Sequence, residues 1–285
     1  MRFIDPRINF AFKTIFGDPN ARDILINFLE SLLELDDDKK IKTVEELDTY
    51  LEPKKNELQC AILFVKCTDR RGISYSVEIQ VVKVDALFKP MQCNSSATRV
   101  NQIERGDDYP KLNQVIAVTI TDFSLFDDFS DYVSCHVTQE IKNGGNRLSG
   151  VIYYFIELSK FSKESGDIET ALDKWIYFIK CVSDLEDIPA NFREGMFVNA
   201  FEKAKMGNMS KEELELYDKA GIAIADAKGV IEFAREEGIA AGIKKVREER
   251  DIQIAKNLLA EKMDYDLISK ATGLEKSAIQ KLDDA

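Results

Sequence analysis

The residues best placed to do chemistry are Glu78 and Gln80, in the run Ile73 to Val82. In that run Ile73, Tyr75, Val77, Ile79 and Val81 alternate with Ser74, Ser76, Glu78 and Gln80, the period of a half-buried strand. Residues two apart on a strand share a face, so Glu78 and Gln80 are expected to point together. Spacing alone is a weak signal, because any exposed strand face carries such pairs. The rest of the composition narrows the chemistry. One histidine, His136, is too few for two-histidine metal sites, and no GxSxG elbow accompanies it for a serine hydrolase. His136 is expected to be a strand histidine satisfied by hydrogen bonds. The five cysteines lack any CxxC pair and are expected to be reduced and structural. Hydrolytic chemistry in this chain would have to rest on carboxylates and a divalent metal.

The chain has 285 residues, 45% of them hydrophobic and 32% charged, enough for a sizeable core. No apolar run approaches the roughly 18 residues of a membrane span, and the opening residues MRFIDPRINFAFKTIFG carry no signal-peptide pattern. A cytoplasmic protein is expected. Net charge is −12, which opposes casual binding to nucleic acid. The deficit is uneven: residues 1–125 carry 17 basic and 20 acidic side chains, and residues 126–285 carry 22 and 31. The first half can therefore still present a local basic surface.

The elements that must position Glu78 and Gln80 follow from periodicity. Residues 5–35 read as helix, broken at Asp18-Pro19-Asn20. Ala61 to Cys67 and Ile73 to Val82 read as a hairpin with its turn at Thr68-Asp69-Arg70-Arg71-Gly72. Residues 89–105 read as helix, and Gln114 to Thr121 as a buried central strand. Two more strands, Tyr132 to Gln139 and Val151 to Glu157, flank an Asn143-Gly144-Gly145-Asn146 turn. The mixed α/β body ends near residue 160. Helices are expected at 168–182, at 190–208, and from 210 to 262, the last opened by the capping-box pattern at Ser210 and Glu213. Gly221, Gly229, Gly238 and Gly242 punctuate that long helix at a cost of about 1 kcal/mol each relative to alanine, which close helix packing could offset. Residues 264–282 have a helix-turn-helix look, but three lysines against five acids in 264–285 favour a helical cap over a DNA reader.

Several segments together resemble the recombination-promoting nuclease (Rpn) family of transposase-like PD-(D/E)XK nucleases. They are DPRINFAFKTIFG at 5–17, ILFVKCTDRRGISYSVEIQ at 62–80, GDDYPKLNQVIAVTITDFSLF at 106–126, and FIELSKF with LDKWIYFIK within 155–180. The segments AREEGIAAGIKK and IAKNLLAEKMDYDLISKATGL resemble the family's tails. The likeness implies an α/β restriction-endonuclease-like core, a mixed central sheet flanked by helices, followed by an all-helical C-terminal region. It divides the chain into a core at 1–160, a helical extension at 161–209 packed on it, and a long charged helix with a small helical tail at 210–285. It implies DNA as partner and Mg²⁺ as cofactor if the site is active, held by two carboxylates, activating water for phosphodiester cleavage.

Carried over residue by residue, Glu78 matches the metal-binding acid and Gln80 the third position of the motif. The hairpin Asp falls at Phe64, in ILFVK where relatives read ILDVK. If 67 pairs with 73, position 64 lies opposite 76 and diagonal to 78. Asn9 stands where relatives carry Asp, although Lys13 is kept, and the expected basic pair becomes Lys89-Pro90. Glu57 or Asp69 could stand in for the missing acid, though neither is well placed. Lys13, Lys66 and Lys89 are the candidate phosphate contacts, and the C-terminal helices a candidate homo-oligomer surface. Two readings remain: a metal-dependent DNA endonuclease with impaired catalysis, and a non-catalytic nuclease-derived binding or assembly protein.

Overall fold

The computed structural model describes residues 2–35, 39–46, 65–71, 73–80, 88–100, 102, 112, 114–148 and 150–284. Among them the chain divides into two compact units, Met1–Ala225 and Asp226–Ala285. The first contains a six-stranded sheet: β1 (Ile41–Glu46), β2 (Val65–Asp69), β3 (Ser74–Gln80), β4 (Val115–Thr121), β5 (Val133–His136) and β6 (Val151–Glu157). Their spatial order is β1-β2-β3-β4-β6-β5. β1, β2 and β3 form an antiparallel meander, β3, β4 and β6 run parallel, and β5 closes the far edge antiparallel to β6.

The predicted central strand lies at the centre. All seven residues of β4 are buried, so both of its faces are covered. Parallel neighbours need a crossover, and α3 (Phe88–Val100) lies in the connection from β3 to β4. β1 is a strand that the sequence pattern does not reveal. Its residues IKTVEE mix charge with β-branched side chains at the sheet edge, where only Ile41 and Val44 of the side chains described are buried. β5 is shorter than the predicted 132–139, because the chain leaves the ladder after His136.

Helices α1 (Asn9–Phe16), α2 (Arg22–Leu33), α4 (Ala171–Cys181) and α5 (Met196–Ala204) build an aromatic core around Trp175. The Trp175 ring lies 5.8 Å from Phe16, 6.3 Å from Phe28 and 4.6 Å from Phe197, and its Nε1 donates to Asn27 Oδ1 at 3.0 Å. A buried indole N–H with a partner is the arrangement that lets Trp fill a core without an unmet donor. The single helix expected at 190–208 is broken into short pieces. Gly195, at φ 64°, ends the approach to α5, and Lys205 leaves the helix in extended geometry. That exit lets the opening segment pair with it: Ile4 N donates to Ala204 O at 2.8 Å and Met206 N to Arg2 O at 3.0 Å.

α6 (Lys211–Ala260) contributes to both units. It opens as predicted, with Glu213 N donating to Ser210 Oγ and Ser210 N to the Glu213 carboxylate. Tyr217 on α6 accepts at its Oη from Asp5 N at 2.9 Å, and Gly221 lies against Ile8. In the second unit, Ala255 near the end of α6 joins Ile268 of α7 (Tyr265–Thr272) and Ile279 of α8 (Lys276–Asp283) in a small core. The turn between α7 and α8 needs Gly273, whose φ is 74°.

α4 is anchored by a buried carboxylate. Asp173, with no exposed surface, accepts from Tyr132 Oη at 2.5 Å, Lys163 Nζ at 2.8 Å and Thr170 N at 3.3 Å. Burial pushes its pKa up, but those hydrogen bonds outweigh it and hold the group at about 2, below its ordinary 3.8. The unfolded chain therefore takes the proton first as pH falls. The stabilisation is complete above about pH 4 and is lost as pH falls toward 2, by on the order of 2 kcal/mol. Urea unfolding at pH 7 and pH 3 should show about half of that loss, and Asp173→Asn should flatten it while lowering stability at neutral pH.

Candidate active site

β3 fixes the backbone positions of the predicted site residues. In its parallel register Glu78 shares a cross-sheet row with Thr119 and Phe155, and Gln80 shares the next with Thr121 and Glu157. α3 covers the Thr119 and Phe155 side chains: Thr119 Oγ1 donates to Met91 Sδ at 3.2 Å, and the Phe155 ring lies 6.2 Å from Phe88. The side chains of Glu78 and Gln80 lie outside the described atoms, as do Phe64 and Glu57 entirely.

The hairpin register differs from the sequence expectation. Cys67 pairs with Tyr75 and Thr68 with Ser74, two residues beyond the expected partner of 67. The cause is Asp69, which belongs to β2 and closes a tighter turn. Its Oδ1 accepts from Arg71 N at 2.8 Å and Ile73 N at 2.9 Å, while Oδ2 accepts from the Arg71 guanidinium at 2.6 and 2.9 Å. With 3% exposure and both carboxylate oxygens engaged by these bonds, Asp69 shapes the turn and is not free to replace a missing metal ligand.

Two further carboxylates near the strand ends are also committed. Glu157, fully buried, accepts from Leu125 N at 2.6 Å and Phe126 N at 3.2 Å, and pairs with Lys160 Nζ at 2.8 Å. Lys160 donates as well to Phe126 O at 2.5 Å and Phe129 O at 2.9 Å. The pair thus clamps the loop after β4 to the end of β6. Asp122, just past β4, lies 3.4 Å from Arg7, which Asp5 also grips through Nε and Nη2. The Asp5 hydrogen bonds raise the Arg7 pKa, so this guanidinium is charged at any working pH. Sequence reasoning assigned no role to Glu157, Lys160, Asp122 or Arg7; the motifs FIELSKF and DPRINF were the available signals.

His136 ends β5, bonds Ser134 Oγ at 2.9 Å and stacks 4.7 Å from Phe126, the satisfied strand histidine that was expected. Burial lowers its pKa. Cys93 and Cys135 carry free thiols that are exposed and not buried, and Cys181 is a half-buried free thiol. Lys13 is exposed on α1 and Lys89 is exposed in the first turn of α3; Lys66 pairs with Glu45 across β1 and β2. The structure places Lys13 and Lys89 on different helices, with no common partner among the described residues.

A family model for the PD-(D/E)XK nuclease family transposases matches residues 6–234, from the segment before α1 into α6. The chain belongs to this family. No curated protein and no solved structure gave a match. The architecture agrees with the membership, since an antiparallel meander leads through a helix to a parallel strand at the sheet centre. Nucleases of this family generally depend on a divalent metal. Among the described residues, no three His, Cys, Asp or Glu side chains converge as a metal cluster. The positions that the sequence resemblance assigns to the motif carry one carboxylate, Glu78, one amide, Gln80, and a phenyl ring, Phe64. A carboxylate and an amide carbonyl are oxygen donors that a hard cation accepts, and a phenyl ring offers none.

The Glu157–Lys160 pair is open to a direct test. Glu157→Ala leaves a buried ammonium and two backbone N–H groups without their acceptor, and should cost about 3–5 kcal/mol in urea unfolding. Loss of loop order should accompany it, seen as faster amide exchange at Leu125 and Phe126.

Proposed function

We propose that this transposase-family protein is a DNA-binding relative of the recombination-promoting nucleases whose cleavage chemistry is reduced or lost. The observation that carries the reading is the commitment of the carboxylates around the hairpin. Phe64 occupies the position of the metal-binding Asp, and Asp69, the nearest described acid on β2, is consumed by its own turn. Position 64 is where the family resemblance puts the hairpin Asp. A ring there would dehydrate the position without ligating Mg²⁺. In this reading residues 1–160 form the nuclease-like core, 161–209 a helical extension packed on it, and 210–285 an assembly tail. Lys13, Lys66 and Lys89 supply phosphate contacts, and the protein works in the cytoplasm on recombining or mobile DNA.

Supercoiled plasmid incubated with Mg²⁺ or Mn²⁺ tests the chemistry. The unmodified protein should cleave no faster than Glu78→Ala. Phe64→Asp restores a second carboxylate and should raise metal-dependent cleavage by more than about tenfold, roughly 1.4 kcal/mol of barrier. Adding Glu78→Ala should abolish the gain. Robust Glu78-dependent cleavage by the unmodified protein would establish the competing endonuclease reading.

The tail reading rests on α6. Val230, Phe233, Ile239, Ile243 and Val246 are each more than half exposed. Acids Glu236 and Glu237 precede the Ala240-Ala241 midpoint, and Lys244 and Lys245 follow it. A second copy running antiparallel would set each acidic pair opposite a basic pair, whereas a parallel copy would oppose like charges. Light scattering should therefore report a dimer. Ile243→Asp should shift it to monomer, as should Glu236→Lys with Glu237→Lys, and adding Lys244→Glu with Lys245→Glu should restore it.

A further inference from the structure

The loop between β5 and β6 is held rigid while presenting an apolar tip. Glu140 N donates to Gly145 O at 2.9 Å, Gly144 N to Glu140 O at 3.0 Å, and Gln139 Nε2 to Gly144 O at 3.2 Å. The Glu140 carboxylate accepts from Lys142 N at 3.0 Å and Asn143 N at 2.6 Å, so the loop's acid is spent inside the loop. Between these bonds stands Ile141, 98% exposed, with Leu148 72% exposed on the return. Loop tips are usually polar, and an isoleucine held in water on an ordered loop calls for a partner surface. Lys142 and Arg147 flank it, and neither has a carboxylate within ion-pair reach among the described residues.

Charge is segregated along the strands. The loop opens at the end where β3, β4 and β6 begin, since Ser74, Val115 and Val151 share a row. At that end Arg99, in the last turn of α3, lies against Gly150, where an added Cβ would fall 1.6 Å from its guanidinium. Among the described residues the opposite end carries Asp122, Asp127, Asp128 and Asp131; of its cations, Arg7 is held by Asp5 and Asp122, Lys160 lies in the Glu157 clamp, and Lys89 stands at the start of α3. A polyanion is therefore favoured at the loop end and opposed at the other.

We propose that the β5–β6 loop is a duplex-DNA docking element, with Ile141 as an apolar wedge in the minor groove and Lys142 and Arg147 on flanking phosphates. Isolated apolar side chains set among Lys, Arg and Asn are what such wedges require: the cations hold the backbone while the side chain enters between base steps. The inference rests on the DNA-binding reading above and names the surface that reading lacks.

The test uses the full-length chain and a fluorescein-labelled duplex with 2-aminopurine at a central TA step, followed by anisotropy over a salt series. Lys142→Ala with Arg147→Ala should weaken binding and lower the slope of log K against log salt by about 2. Ile141→Ser should leave the slope unchanged, weaken binding by about tenfold and remove the 2-aminopurine brightening that unstacking produces. Loop variants that bind and brighten like the parent overturn the docking element but leave the DNA reading intact, the more so if Lys13→Ala or Lys89→Ala then weakens binding. A parent that binds no duplex even at low salt overturns both. The substituted side chains are exposed, so unchanged circular dichroism should accompany every variant.

Discussion

The sheet depends on β4. Each of its residues is buried, so β3 on one side and β6 on the other must stay in register for any backbone donor there to be paired. Every position that matters for chemistry is set by that register. Glu78 sits where it does because Val77 and Ile79 flank Val118 and Ile120 in rows that cannot slip by one without turning polar residues into the core. β6 is fixed in turn by the Glu157–Lys160 pair at its end, which ties the loop after β4 back to the sheet.

The parts of this arrangement legible in the sequence are those governed by local rules. A continuous apolar run gave β4, alternation gave β3, and the Ser210–Glu213 pattern gave the start of α6. The parts that were not legible depend on distant partners. β1 has no pattern of its own and is a strand because β2 is there to pair with it. The hairpin slid by two because Asp69, which looks like an ordinary turn residue, gathers two backbone N–H groups and a guanidinium. Glu157 followed by Lys160 reads as an exposed pair on a strand end. Only the arrival of residues 125 and 126 makes it a buried clamp.

The candidate site is a case where family membership and residue chemistry point apart. The PD-(D/E)XK family fold is present, while in the proposed site the position matched to the hairpin Asp carries Phe64. Loss of a ligand need not disturb the scaffold, since stability here comes from β4 and the aromatic layer around Trp175. A sheet held in such order presents shaped, charged surfaces to a partner whatever becomes of its metal chemistry.

The pairing of residues 2–5 with residues 204–217 also shapes how the chain is made. Ile4 and Arg2 bond to the exit of α5, and Asp5 to Tyr217, contacts 200 or more residues apart. At about 5–20 residues per second, a ribosome needs on the order of 10–40 s to synthesise the partner of this opening segment. Throughout that interval Phe3 and Ile4, buried in the finished protein, have no place to go. A nascent chain held in that state offers a chaperone a short apolar handle, and early release would leave the helical layer open at the edge where α6 begins.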